Sequence, residues 1–202
     1  MKLLHLDSSI LGPNSVSRAL SAEIVAREAA LHPGLEVVYR DLAADKTLHL
    51  SGAHLAAWQG GPVEDTVLGQ DLAHGGAYLD ELLAADILVI GAPMYNFTVP
   101  SQLKAWIDRV AVVGKTFRYS EAGAEGLLKG RKAFIASARG GIYQPGSPTI
   151  ALEHQETYLT GVLAFMGITD VTIVRAEGIA FGPEAREAAL AKARAEISAI
   201  AA

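Results

Sequence analysis

Apolar and polar positions follow two rhythms along this chain. Short continuous apolar runs recur, and between them apolar residues return every three to four positions. Residues 3–6 form the first run, stopped by Asp7-Ser8-Ser9. Over 17–31, Leu20, Ile24, Val25 and Leu31 recur at helical spacing among Arg18, Glu23, Arg27 and Glu28, which predicts an amphipathic helix. Pro33-Gly34 ends it, and the Val-rich residues 35–39 read as a second strand. The stretch 41–62 carries little pattern beyond a short helix over 51–58. Residues 64–83 predict a long helix, although Gly75 and Gly76 each cost about 1 kcal/mol of helix propensity against alanine. The run D-I-L-V-I-G at 86–91 is the clearest strand. Its lack of alternation predicts a central parallel strand covered on both faces. A helix is predicted from Val99, with Pro100 in its first turn and Leu103, Trp106, Ile107 and Val110 as its buried stripe. Residues 114–130 read as a glycine-containing linker, 132–138 as a fourth strand and 139–148 as a loop. A helix over 149–166, a fifth strand over 171–175 and an alanine-rich helix over 183–201 complete the chain.

Strands separated by helices predict an α/β protein with an open, doubly wound, five-stranded parallel sheet and right-handed crossovers. The 202 residues fit one domain, 1–202. Half the residues are apolar and 19% are charged, a folded composition. The chain has no cysteine. That excludes a disulfide scaffold, a thiol nucleophile and a cysteine-ligated cluster, and it fits a cytoplasmic protein. The formal charge is −5, and no lysine or arginine lies between Lys46 and Lys104, so a nucleic-acid partner is not expected. No run approaches the roughly 18 apolar residues of a membrane span, and the start lacks the apolar core of a signal peptide.

Three segments leave the carboxyl ends of predicted strands, where open parallel sheets bind ligands. The first, 8–17, places Ser9, Ser15, Val16 and Ser17 before a helix, whose N-terminus favours an anion. It is neither a dinucleotide glycine loop nor a P-loop. Ordinary capping by Ser15 or Ser17 explains it equally well. The second, 92–100, carries Met94, Tyr95, Asn96 and Phe97, which suit a flat ring system. The alternatives are core plugs at Met94 and Phe97 and a turn at Asn96. The third, 137–143, carries Ala138, Arg139, Gly140 and Gly141, whose glycines permit close backbone approach. Its alternative is a flexible turn with a surface arginine. An anion site beside an aromatic slot points to FMN, which has one phosphate and one large ring.

The segments D-S-S-I at 7–10, S-V-S at 15–17, A-P-M-Y-N-F at 92–97, K-T-F-R-Y at 115–119, A-R-G-G at 138–141 and A-E-G-I-A-F-G-P at 176–183 resemble the FMN-dependent NADH-azoreductases, a quinone reductase family with a flavodoxin-like fold. The resemblance spans nearly the whole chain. It implies strand order 2-1-3-4-5, tightly bound FMN, one per subunit, and a homodimer with each site at the interface. It assigns phosphate and ribityl contacts to Ser9, Ser15, Val16 and Ser17. Ring contacts fall to Met94, Tyr95, Asn96, Phe97, Arg139, Gly140 and Gly141. Two positions depart from the family pattern: Ala138 replaces a serine and Tyr143 a histidine. Phe117, Tyr119, Tyr143 and Phe181 are candidates for a substrate wall, some from the partner subunit; hydrophobic interface residues are the plainer reading.

The chemistry implied by the resemblance is hydride transfer from NADH or NADPH to flavin N5, with a quinone or azo compound then taking electrons at the same face. That predicts ping-pong kinetics, with no protein nucleophile and no metal. The six histidines lack metal-ligand spacing. His5 reads as a packed core residue and His154 as a helical surface or interface residue. Trp58 hints at a dimer contact, and the acidic stretch around it reads as a solvated face. A quinone reductase with little azo activity and a flavodoxin-like electron carrier are the competing readings. Phosphodiester hydrolysis lacks its nucleophile signature.

Overall fold

The computed structural model describes residues 1–201; Ala202, the last residue of the expected domain, lies outside the described residues. Strand β1 (Lys2–Asp7) is followed by helix α1 (Val16–Leu31), strand β2 (Glu36–Asp41), the short helix α2 (Gly52–Trp58) and the long helix α3 (Thr66–Ala84). Next come β3 (Ile87–Pro93), α4 (Ser101–Val110), β4 (Phe117–Ser120), β5 (Gly123–Gly126) and β6 (Lys132–Ala138). Helix α5 (Glu156–Met166), β7 (Asp170–Ala176) and α6 (Pro183–Ser198) close the chain. The main sheet has order β2-β1-β3-β6-β7 and is parallel at every pairing. Counting only its five strands, this is the expected 2-1-3-4-5.

Alternation along the inner strands divides the core between the two faces. Leu4 and Leu6 of β1, Leu88 and Ile90 of β3 and Ile135 of β6 pack with Leu82, Leu103, Trp106, Leu159 and Leu163 of α3, α4 and α5. Leu3, Ile87, Val89 and Phe134 point the other way, against Leu20 and Ile24 of α1 and Ala193 and Ile197 of α6. The sheet is thus covered on both faces, and β3 is buried along its whole length, as its unbroken apolar run requires. All strands being parallel, the loops after β1, β3 and β6 emerge at one edge.

Four features differ from the sequence reading. The expected linker contains a hairpin, β4 paired antiparallel with β5, which holds Phe117 buried while Tyr119 is exposed. The helix expected over 149–166 starts at Glu156, after a single 3-10 turn at Ile150–Leu152. Glu153 stops it from starting earlier, because its carboxylate accepts the N–H groups of Gln155, Glu156 and Thr157. His154 therefore lies in the turn before the helix and is exposed. The last helix ends at Ser198. The acidic stretch is only partly a solvated face: Asp65 caps α3, Glu81 pairs with Arg40, and Asp71 is buried.

Candidate flavin site

Residues from three loops and from the 176–182 segment surround one cavity of about 240 Å³. Ser9, Ser15, Val16 and Ser17 line it from the first loop, Met94 and Tyr95 from the second, and Ala138 and Gly140 from the third. Leu11, Pro93, Ile179 and Ala180 complete the lining. These four were not assigned from the sequence, although Pro93, Ile179 and Ala180 lie inside segments that carry the resemblance. The loops are tied together around the cavity. Tyr95 Oη lies 3.2 Å from Ser9 Oγ and accepts the Ile10 N–H at 3.2 Å. Met94 N–H donates to Ala138 O at 2.8 Å. The N–H groups of Gly178, Ile179 and Ala180 donate to the carbonyls of Gly141, Arg139 and Gly140.

Polar capacity at the cavity is mostly backbone. Ser15 caps α1 by accepting the Arg18 N–H, so the capping reading holds for that residue. Its Oγ also lies 3.1 Å from Ser17 Oγ. The N–H groups of Val16 and Ser17, in the open first turn, have no acceptor among the described residues. Gly140 and Gly141 likewise donate no backbone hydrogen bond, although of the two only Gly140 lines the cavity and Gly141, an expected contact, does not. Tyr95-Asn96-Phe97-Thr98 is a tight turn closed in both directions between Tyr95 and Thr98. Asn96 and Phe97 have φ of 47° and 73°. For phenylalanine that conformation is costly, and it leaves both N–H groups undonated. No ionisable side chain other than the Tyr95 phenol lines the cavity. Arg18 is committed elsewhere: it donates to Ser9 O and Asp41. That pairing holds the Asp41 carboxyl below its ordinary range.

The other candidates fall elsewhere. Asn96 and Tyr95 line a neighbouring cavity of about 570 Å³ with Thr98, Val99, Ser101, Lys104 and Tyr158. Phe97 is half-exposed and meets Tyr143 edge-on, 6.3 Å between ring centroids. Tyr143 lines a polar groove on the far side of the third loop, and Phe181 is exposed. Phe117 packs on Phe165 of α5; neither it nor Tyr119 lines either cavity. Arg139 is not a surface arginine, and it lines the groove beside Tyr143 rather than the cavity between the three loops. It is buried behind the third loop among Glu153, Glu156 and Glu177. Ser137 does not replace the hydroxyl missing at Ala138, because strand alternation turns it toward Gln155.

Comparison with known proteins decides the family. Residues 1–201 match the family model described as flavodoxin-like fold. An FMN-dependent NADH:quinone oxidoreductase of Methylorubrum extorquens is 58% identical over 193 residues, 96% of this chain and 95% of that protein. One of Bradyrhizobium sp. is 55% identical over the full length of both. The chain belongs to the FMN-dependent NADH:quinone oxidoreductase family. Among solved structures, an FMN-dependent NADH-azoreductase from Bacillus anthracis in complex with FMN superposes with a TM-score of 0.84 at 26% identity, covering 98% of each chain.

Within this family member the residues suit FMN. A helix N-terminus with three serine hydroxyls matches a phosphate, and undonated N–H groups in two further loops match the polar rim of a ring. Beneath the first loop, Asp7 accepts Ser21 Oγ at 2.7 Å and Tyr39 Oη at 3.2 Å. Gly91 is required there, since a Cβ would lie 2.3 Å from Asp7 Oδ1. His5 is packed as expected, its Nε2 3.0 Å from Ser21 Oγ. No helix among the described residues is long and apolar enough to cross a membrane.

Proposed function

We propose that this chain is a cytoplasmic, single-domain NAD(P)H:quinone oxidoreductase that also cleaves aromatic azo compounds reductively, acting as a homodimer with one FMN per subunit. The observation that carries this reading is the convergence of Ser9, Ser15, Ser17, Met94, Tyr95, Ala138 and Gly140 on one cavity. About 240 Å³ is less than the roughly 300–1,000 Å³ of a typical small-molecule site. It therefore takes part of the cofactor, and Tyr95 connects it to the larger cavity beside it. The Bacillus anthracis protein named for FMN and azo reduction has this fold, which supports the reading.

The chain's residues bind and orient. Val16 and Ser17 N–H, with the serine hydroxyls, hold the phosphate at the positive end of α1. Met94 and Tyr95 supply the apolar wall. The N–H groups of Asn96, Phe97, Gly140 and Gly141 stabilise negative charge at the ring's polar edge without reorganising. When bound, FMN supplies hydride acceptance and donation at N5. No imidazole, carboxylate or ammonium lines the smaller cavity; Lys104 lines the larger one, and solvent is the proton source in this reading. Nicotinamide and acceptor occupy the same space in turn, and initial rates follow a ping-pong pattern.

The decisive measurement is the visible spectrum of the purified protein before and after anaerobic NADH. An oxidised-flavin spectrum that bleaches rapidly is expected. A flavin spectrum that barely bleaches identifies an electron carrier instead. A colourless protein that takes up no added FMN rejects the reading.

A further inference from the structure

The walls of the proposed FMN pocket are loops, and behind the third wall lies a buried polar cluster that binding and catalysis do not use directly. Arg139, at the end of β6, is 1% exposed. Its Nε donates to Ser137 Oγ at 3.1 Å and Gln155 Oε1 at 3.0 Å. Nη1 donates to Glu177 Oε1 at 3.0 Å. Nη2 donates to Glu153 Oε1 at 3.0 Å and lies 2.6 Å from Glu156 Oε1. These partners lead to separate walls. Gln155 Nε2 donates to Ala92 O at 2.7 Å, two residues before Met94. Glu177 Oε1 also accepts the Tyr143 N–H at 2.9 Å, which closes the 139–143 loop. Glu153 anchors the first turn of α5.

We propose that Arg139, acting through Gln155 and Glu177, is the positioning residue of this pocket. It holds the Gly140 and Gly141 donors and the end of β3 from behind without touching the ligand. This rests on reading the cavity as the FMN site. A guanidinium presents five donors in a rigid plane, so one buried group fixes several chain segments at once. Enclosed by carboxylates, it cannot move without leaving buried charge unpaired. The loops are thereby held in one geometry before a ligand arrives, as preorganised donors require. A cluster that served stability alone would lower the melting temperature when cut and leave the folded protein's affinity for FMN unchanged.

The test uses apoprotein of wild type, E177A, E177Q and R139K. FMN is titrated by flavin fluorescence, the absorption bands of the bound flavin are recorded, and the melting temperature of each apoprotein is measured. E177A removes the acceptor shared by Arg139 and Tyr143. It is expected to weaken FMN binding roughly ten-fold, the weight of one displaced hydrogen bond, and to shift the bound flavin's bands. E177Q keeps an oxygen at that position and recovers most of the affinity. R139K, with a point charge in place of the planar fork, behaves like E177A. If E177A melts lower yet binds FMN as wild type does, with the same bands, the cluster is structural only and the proposal is overturned. If wild-type apoprotein takes up no FMN, the pocket reading itself fails and takes the proposal with it.

Discussion

Glu28 lies on the inner face of α1, fully buried, and neither of its carboxylate oxygens has a hydrogen-bond partner among the described residues. Burial raises its pKa above the ordinary 4.5, with Lys132, His32 and Arg27 offsetting only part of the effect. A group raised on folding contributes stability that is complete below the unfolded value and lost as pH rises through the folded one. Glu28 is therefore a liability at neutral pH. Glu28→Met is expected to stabilise by about 1–3 kcal/mol at about pH 7, the cost of an unsatisfied buried polar group. Most of that gain should be gone at about pH 4. Urea unfolding at both pH values checks this; an equal gain at each would reject the argument. Asp71 shows the opposite sign. Burial pushes its carboxyl up, but the Leu48 N–H, Arg109 and His54 hold it below the ordinary 3.8. Its contribution is present above that value and disappears as pH falls through the folded pKa. Asp71→Asn should cost about 3–5 kcal/mol at neutral pH, because it leaves the buried Arg109 without its carboxylate. The deficit should shrink in acid unfolding. Both groups lie in stretches whose sequence pattern is ordinary. His54 and Arg109 stand 17 and 38 residues from Asp71, beyond the reach of any local motif.

Helix α3 shows how an element's sequence and its packing are read separately. The hydrophobic spacing predicts the helix, and Gly75-Gly76 speaks against it. The structure keeps the helix unbroken and gives the two glycines different surroundings. A Cβ at Gly75 would lie 2.9 Å from Arg109 Cδ, whereas one at Gly76 meets nothing within 4 Å. Gly75 makes room for the arginine that pairs with Asp71. Gly75→Ala should therefore destabilise by about 1–3 kcal/mol through overpacking, despite alanine's better propensity. Gly76→Ala should stabilise by up to about 1 kcal/mol. Thermal melts of the two variants decide it, and equal effects of the same sign would contradict the packing argument. The elements missed by the sequence pattern have a common cause. In the 114–130 segment, strands of four residues are too short for alternation to register among glycines. Helix α5 begins where Glu153 caps it, and a side chain outside the helix is invisible to periodicity.

At the scale of the whole molecule, the place of the candidate site was legible because parallel topology sends alternate loops to one edge. Strand order, by contrast, came from family resemblance, since spacing along a chain does not specify lateral neighbours. Serines, aromatics and paired glycines after predicted strands marked the loops that the fold brings together around one cavity. The burial of Arg139 was not legible, because Glu153, Glu156 and Glu177 gather around it only in the folded chain. Phe117 and Tyr119 also resist the sequence argument: in this chain they line neither cavity, and Tyr119 is 71% exposed. Ile10, Leu11, Phe97, Ile142 and Phe181 are exposed as well, four of them in the three loops and Phe181 in the adjoining 176–182 segment. An apolar rim around a site is what a subunit contact covers, and a twofold dimer places the same patch of each copy against the other. If the hairpin of one copy completes the pocket of the other, two defective variants should rescue each other. One carries Ser17→Glu, which places negative charge at the proposed phosphate site; the other carries Tyr119→Ala. A mixed dimer then has one site with an intact pocket and an intact tyrosine, and one site with neither. Random reassociation makes about half the dimers mixed, so about a quarter of wild-type activity should return. No recovery after mixing, with native mass spectrometry confirming mixed dimers, would confine Tyr119 to its own subunit and remove it from the substrate wall.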